Sequence, residues 1–403
     1  MSVMNSAMRG TRQALLRLSR DTRRPVQQTV EAGPGAIFSL AQLLRSNRLK
    51  KPLVVVSRGE YDRSEQLTRT LEESDFRYAF WGRLQPDPTV EDAESIRLAW
   101  ISEICDCFVV MGDDRAINAV KAAAARAACR NKSLYKLEGY GRLRMCRTPP
   151  VVAIPTLAGS GAESFCRASV LDDQGIPVIL EDPALAPAYV ILDTELMDRA
   201  DRPATASAVM EGVCLAVEAG LSDFGDDTAL AMAGDALGGF LRSAVPCWNS
   251  GGTAEERAEL MNASVLAGQA ASRAGMGYIH ALCEAAVLET GLSFGEVCGA
   301  ILPAALKKYG GDGAEDLAAL AERAGAADTG TRLSRADTLI AAIRRMSFRM
   351  GLPDALPALP SGKLTDIAAM AAARANLSCA CPVYWNASQC AEVLRSACSL
   401  REI

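Results

Sequence analysis

Apolar positions fall into two textures along this 403-residue chain. Up to about residue 193, short β-branched runs alternate with amphipathic stretches. Lys51-Pro52-Leu53-Val54-Val55-Val56-Ser57 reads as a strand buried on both faces and ending in turn chemistry. Cys107 to Met111 and Val151 to Pro155 read the same way, and Arg77 to Trp81 is a shorter strand. Helical spacing fills Asp62 to Glu73, Val90 to Glu103 and a stretch from about Ala116, with Gln85-Pro86-Asp87-Pro88-Thr89 as a stiff loop. Strand and helix in alternation predict an α/β domain with a parallel sheet over residues 33–195, opened by Gly33-Pro34-Gly35.

Beyond that point β-branched runs disappear. Ala204 to Leu221, Ala229 to Ala244, Ala254 to Ala274, Ile279 to Thr290 and Gly295 to Lys308 are rich in strong helix formers, so residues 196–403 are expected to form an all-α domain. Residues 1–32 stand apart as a basic arm. Arg9, Arg12, Arg17, Arg20, Arg23 and Arg24 face the single acid Asp21, around a short Leu15, Leu16 and Leu18 face. Such a start suits either an organelle transit peptide, which would place the protein in the mitochondrial matrix rather than the cytoplasm, or a partner-binding arm.

Composition narrows the classes. Hydrophobic residues are 49% and charged residues 23%, a globular balance, and no apolar run is long enough to span a bilayer. A net charge of -5 with no basic, aromatic-laced stripe argues against nucleic acid as a partner. Thirteen cysteines lie scattered, with Cys105-Asp106-Cys107 and Cys379-Ala380-Cys381 spaced too closely for the usual zinc pattern, and reduced thiols in an intracellular compartment are expected. One histidine, His280, occurs in the whole chain.

Several ordered matches between about Gly33 and Cys398 resemble the iron-containing (group III) alcohol dehydrogenases. The best is Pro155-Thr156-Leu157-Ala158-Gly159-Ser160-Gly161-Ala162-Glu163, close to that family's Pro-Thr-x-Ala-Gly-Thr-Gly-Ser-Glu loop. Asp182-Pro183-Ala184-Leu185 with Pro187, Ile191-Leu192-Asp193, Gly275 to Leu282, and Gly295 with Ala300-Ile301-Leu302-Pro303 agree as well. The resemblance implies a Rossmann-like first domain, a helical second domain, a nicotinamide coenzyme, and a small alcohol or carbonyl compound as substrate. It places Thr156, Gly159, Ser160 and Gly161 at the coenzyme, where small residues let backbone N–H groups approach it closely.

The departures from the family pattern matter as much. Its glycine-rich diphosphate loop aligns with Gly112-Asp113-Asp114-Arg115 through Lys121, keeping one glycine and the lysine. Two carboxylates then occupy a helix N-terminus that should attract phosphate. At the end of the first strand, Ser57-Arg58-Gly59 replaces a family Asp-x-Gly, an exchange that favours NADP over NAD if a coenzyme binds. The family's four metal ligands align with Glu211, Leu215, His280 and Phe294. Only Glu211 and His280 can donate, too few for a stable iron or zinc site, so the metal is expected to be absent and the pair vestigial.

His280 and Glu284 lie one turn apart on one helical face and could pass a proton to an alkoxide formed by hydride transfer, a task the metal otherwise assists. Two readings stay open. One is a metal-independent NAD(P)H-dependent reductase of a small carbonyl compound, with His280 and Glu284 as catalytic residues. The other is a catalytically inactive family member serving as a structural or regulatory subunit of a complex or homo-oligomer.

Overall fold

The computed structural model describes residues 27–143, 146–197, 201–311, 313–327, 329–378 and 383–398. Nearly all of the basic arm, and with it the transit-peptide reading, lies outside the described residues. In chain order the first domain holds β1 (Thr29–Gly33), α1 (Leu40–Ser46), β2 (Pro52–Ser57), α2 (Ser64–Glu73), β3 (Ala79–Leu84), α3 (Val90–Ser102), β4 (Cys107–Gly112) and α4 (Asp114–Ala128). It continues with α5 (Leu134–Leu137), β5 (Gly139–Tyr140), β6 (Val151–Pro155), β7 (Arg167–Leu171), β8 (Pro177–Glu181) and β9 (Tyr189–Asp193). Six strands form one parallel sheet in the order β1-β9-β6-β4-β2-β3.

The alternation along each central strand explains its continuous apolar run. Val54, Val56, Cys107, Val109 and Met111 pack into the cluster under α1 and α2, while Leu53, Val55, Phe108 and Val110 pack into the cluster under α3 and α4. A sheet covered on both faces needs apolar side chains at every position. β1 begins at Thr29 and pairs with β9, so the sheet starts four residues before the Gly33 boundary read from sequence. The strand expected at 77–81 runs from Ala79 to Leu84, and the helix expected from Asp62 starts at Ser64 after a 3-10 turn over Arg58–Arg63. The small second sheet, β5-β8-β7, was not legible because its strands are short and mixed in polarity.

The regular elements among the second domain's described residues are all helices. Its elements are α6 (Arg202–Gly220), α7 (Asp227–Ser250), α8 (Ala254–Ala274), α9 (Tyr278–Thr290), α10 (Phe294–Tyr309), α11 (Ala314–Arg323), α12 (Arg332–Arg349), α13 (Ser361–Ser378) and α14 (Ala387–Ala397). Local capping sets several starts: Asp201, Asp226, Thr253 and Ser293 each accept a hydrogen bond from a first-turn amide of the helix that follows. One core cluster unites these helices.

The two domains meet through glycines. A Cβ on Gly212 of α6 would stand 1.9 Å from the Gly159 carbonyl oxygen, and one on Gly268 of α8 would stand 2.3 Å from that of Gly161. The loop after β6 therefore lies directly on two helices of the second domain.

Candidate active site and its relatives

β7 and α9 bring the candidate site together. Arg167 begins β7, and α9 carries His280 and Glu284 on one face, as their spacing of four requires. His280 is 4% exposed, and its Nε2 lies 3.4 Å from Glu284 Oε1. Glu284 also binds Arg167 through Oε1, and its Oε2 accepts a 3.0 Å hydrogen bond from Arg374 of α13. Burial opposes charge on Glu284, but Arg167 first, then His280 and Arg374, hold its carboxyl well below the usual carboxylate range. A cavity of about 360 Å³ opens on this group, bordered by His280, Glu284, Arg167, Arg374, Arg142 and Tyr140 among others. Arg167 and Arg374 were invisible to sequence reading, since neither belongs to a motif and β7 had no periodic signal.

The positions aligned with the family's metal ligands do not rebuild a metal site. Leu215 is fully buried in the helical core, and the Phe294 ring lies 4.9 Å from that of His280, centroid to centroid. Burial, then the negative charge of Asp114, pushes the Glu211 carboxyl well above its ordinary value, which favours a neutral acid. An iron ion does not fit this donor set.

Beside that place lies a second cluster. Glu218, four residues after Cys214 on α6, accepts the α9 amides of Ile279 (2.7 Å) and His280 (3.1 Å) with Oε1. Its Oε2 and His280 Nδ1 are buried without a partner. Ligand atoms of Cys214, Glu218 and His280 all lie within 4.8 Å of one another. Cys298 of α10 shares hydrogen bonds with Cys214 and with Cys283 of α9. All three cysteines are fully buried.

The residues expected at the coenzyme occupy the mouth of the sheet. Ser57 ends β2 and the exposed Arg58 opens the 3-10 turn after it, and a Cβ on Gly112 would stand 2.9 Å from Ser57 Oγ and from the Ala116 Cβ, so only glycine fits there. Asp113 caps α4, accepting from the Ala116 amide at 3.1 Å, and thus fills the helix N-terminus with its own carboxylate. Burial, then the charge of Asp113, pushes the Asp114 carboxyl up to about 6. Arg115 lies between Asp87, at 2.7 Å, and Asp113, at 3.8 Å.

In the loop over 156–163, the amides of Gly159 and Gly161 both donate to Ser264 Oγ of α8, at 2.9 and 3.0 Å. Ser160 is buried, and its Oγ lies 3.4 Å from the Ala162 amide. Thr156 donates its amide to the Gly112 carbonyl. Lys121 sits beneath the loop, fully buried, and donates to the carbonyls of Ala162 (2.9 Å) and Phe165 (2.8 Å). Burial lowers its amino group to about 7. The close approach these glycines permit is thus to helices α6 and α8, and Lys121 braces the loop from inside.

This pairing of a parallel-sheet domain with a helical bundle, with a cavity beside a lone histidine, defines an alcohol dehydrogenase-like architecture. The families described as iron-containing alcohol dehydrogenase and its C-terminal domain match residues 27–194 and 205–398, and the chain belongs to this family. It is 27% identical to the 1,3-propanediol dehydrogenase of Klebsiella pneumoniae over 331 residues, covering 80% of this chain and 85% of that one. The crystal structure of a 1,3-propanediol oxidoreductase superposes with a TM-score of 0.85 at 24% identity, covering 92% of this chain and 98% of the other. The sulfoacetaldehyde reductase of Bifidobacterium kashiwanohense, solved in complex with NAD+, superposes with a TM-score of 0.81 at 21% identity, covering 92% and 97%. No helix among the described residues is long and apolar enough to cross a membrane.

Proposed function

We propose that this chain reduces a small carbonyl compound with a nicotinamide nucleotide and without iron. The observation that carries the reading is His280, buried against Glu284 and bordering the cavity. A nicotinamide nucleotide, when bound, supplies the hydride. It would be held mainly at its sugar end by Ser57 and Arg58, with NADP preferred because Arg58 offers a planar cation where the family carries an acid. Asp113 and Asp114 weaken the grip on its diphosphate.

His280 supplies the proton to the oxygen that becomes the alcohol. Glu284 orients the imidazole, and Arg167 and Arg374 keep Glu284 ionised and in place. The guanidinium groups around the cavity suit a carbonyl substrate bearing an anionic group.

Calorimetry with NADPH and NADH on metal-assayed protein, followed by a carbonyl screen, tests the reading. Micromolar nucleotide binding and turnover that vanishes in His280→Ala are expected. Unchanged turnover in that variant removes His280 as the proton donor.

A second reading has its own support. Asp113 capping α4 and Phe294 packed on His280 also suit a family member that has ceased to be an enzyme and serves as a structural or regulatory subunit. Absence of nucleotide binding at any pH selects it.

A further inference from the structure

The resemblance aligns two family metal ligands with Glu211 and Leu215, four residues apart on α6. The chain carries a pair of donors at that spacing three residues further on, Cys214 and Glu218. Three residues along a helix shift a site by about 4.5 Å and return it to nearly the same face. The shifted pair still lies beside His280.

Two buried atoms there lack any partner, Glu218 Oε2 and His280 Nδ1. Leaving two such groups unmade inside a helical core is costly, and a cation would satisfy both at once. The rest of the surroundings match what a bound cation requires. Glu218 is fixed by two amide donors on its other oxygen, at 2.7 and 3.1 Å. His280 presents Nε2 to the Glu284 carboxylate at 3.4 Å, which leaves Nδ1 as the coordinating nitrogen. A ligating histidine held by a carboxylate through its other nitrogen is the usual arrangement at metal sites.

We propose that Cys214, Glu218 and His280, with the Cys298 thiol beside Cys214 as the fourth donor, form a closed structural site for a thiolate-preferring divalent cation of the zinc type. Present ligand-atom separations of up to 4.8 Å leave room for an ion and contract modestly on binding. Mixed sulfur, nitrogen and oxygen donors select zinc or cobalt over magnesium or calcium. Full burial of the cysteines leaves no position open to substrate, so the site ties α6, α9 and α10 together and orients His280 from behind. With Nδ1 on the cation, the proton His280 can pass to a substrate is the one on Nε2 beside Glu284, so the site is compatible with the reductase reading and would serve an inactive subunit equally well.

The full-length protein, purified under reducing conditions, is assayed for metal and then loaded with Co²⁺ alone. The expected result is about one zinc per chain as isolated and, with cobalt, an intense near-ultraviolet thiolate-to-metal charge-transfer band with tetrahedral visible bands. Cys214→Ser removes the metal or the larger part of the charge-transfer band, Glu284→Gln weakens affinity about 10–100-fold through His280, and Glu211→Ala leaves both unchanged. Folding of each variant is checked by circular dichroism. The wild-type cobalt spectrum stands by itself if a variant fails to fold. No stoichiometric cation in the wild type, a cobalt spectrum without thiolate charge transfer, or metal lost with Glu211→Ala but kept in Cys214→Ser overturns the proposal.

Discussion

Individual charges decide what this site can hold. Asp114 is the clearest case. Its carboxyl is pushed up to about 6, by burial first and then by Asp113, from an ordinary value of 3.8. The folded chain therefore binds this proton more readily than the unfolded chain. The stabilisation is complete below about pH 4 and is lost as pH rises through 6. The same proton removes one negative charge from the helix N-terminus where a diphosphate would sit. NADPH should bind about fivefold tighter at pH 5.5 than at pH 7.5, the equivalent of roughly 1 kcal/mol for a charge at that place. Asp114→Asn should abolish the difference, which calorimetric titrations at the two pH values would read; an unchanged pH dependence in that variant assigns the effect elsewhere. Arg167 acts in the opposite sense, as the main support of the charge on Glu284. Arg167→Met leaves a buried carboxylate with only His280 and Arg374 beside it, and should cost about 3 kcal/mol in urea unfolding. Adding Glu284→Leu to it should recover a large part of that loss, and a double-mutant cycle without such coupling would show the pair to be energetically idle.

Among the elements, the loop over 156–163 joins the sheet domain to two helices of the second domain. Its glycines were legible in the sequence as residues demanding close approach, but not what approaches them. The answer lies in Gly212 and Gly268, on helices more than fifty residues further along the chain, and in Ser264 Oγ, which accepts two loop amides. Nothing in the spacing of an Ala-rich helix marks one serine as a partner for a distant loop. Ser264→Ala should cost about 2 kcal/mol or more, because two buried N–H groups lose their acceptor together; thermal unfolding within a degree of wild type would mean water replaces the hydroxyl. Gly268→Ala should be at least as damaging, since its methyl group meets the Gly161 carbonyl oxygen at 2.3 Å. Elsewhere the elements were readable where one rule dominated. The continuous apolar runs of β2, β4 and β6 and the whole of α8 stand where the sequence placed them. β7 and β8 escaped because the antiparallel pair of Arg-Ala-Ser-Val-Leu and Pro-Val-Ile-Leu-Glu is short and mixed in polarity. With β7 went Arg167, and with Arg167 the charge that organises the cavity. Cys214 and Glu218 were within reach of the spacing rule applied to Glu211 and Leu215, displaced by three residues.

At the scale of the whole molecule, the domains share polar contacts that neither could satisfy alone. Ser264 and Ser272 of α8 serve backbone N–H groups of Gly159, Gly161 and Cys166 in the first domain. Gln28, just before β1, donates to the carbonyls of Glu163 and Pro187 and accepts from Gln269 of α8. Lys121 holds the same loop from the sheet side through two carbonyls. Opening the interface would leave these groups without partners in a place shaped by glycines that water enters poorly, and the cost of separation exceeds what either core would regain. The two domains should therefore unfold together, the more so because Ala158, Phe165, Cys166, Val190 and Leu192 of the first domain pack into the apolar cluster of the second. Differential scanning calorimetry of the wild type should give one transition whose calorimetric and van't Hoff enthalpies agree. Gly268→Val, which wedges the loop from α8, should split that transition in two, with the sheet domain and the helical domain melting at different temperatures. A wild type that already melts in two steps would show that the shared hydrogen bonds are too weak to couple the domains, and that His280 and Arg167, one from each, are held at their present distance only loosely.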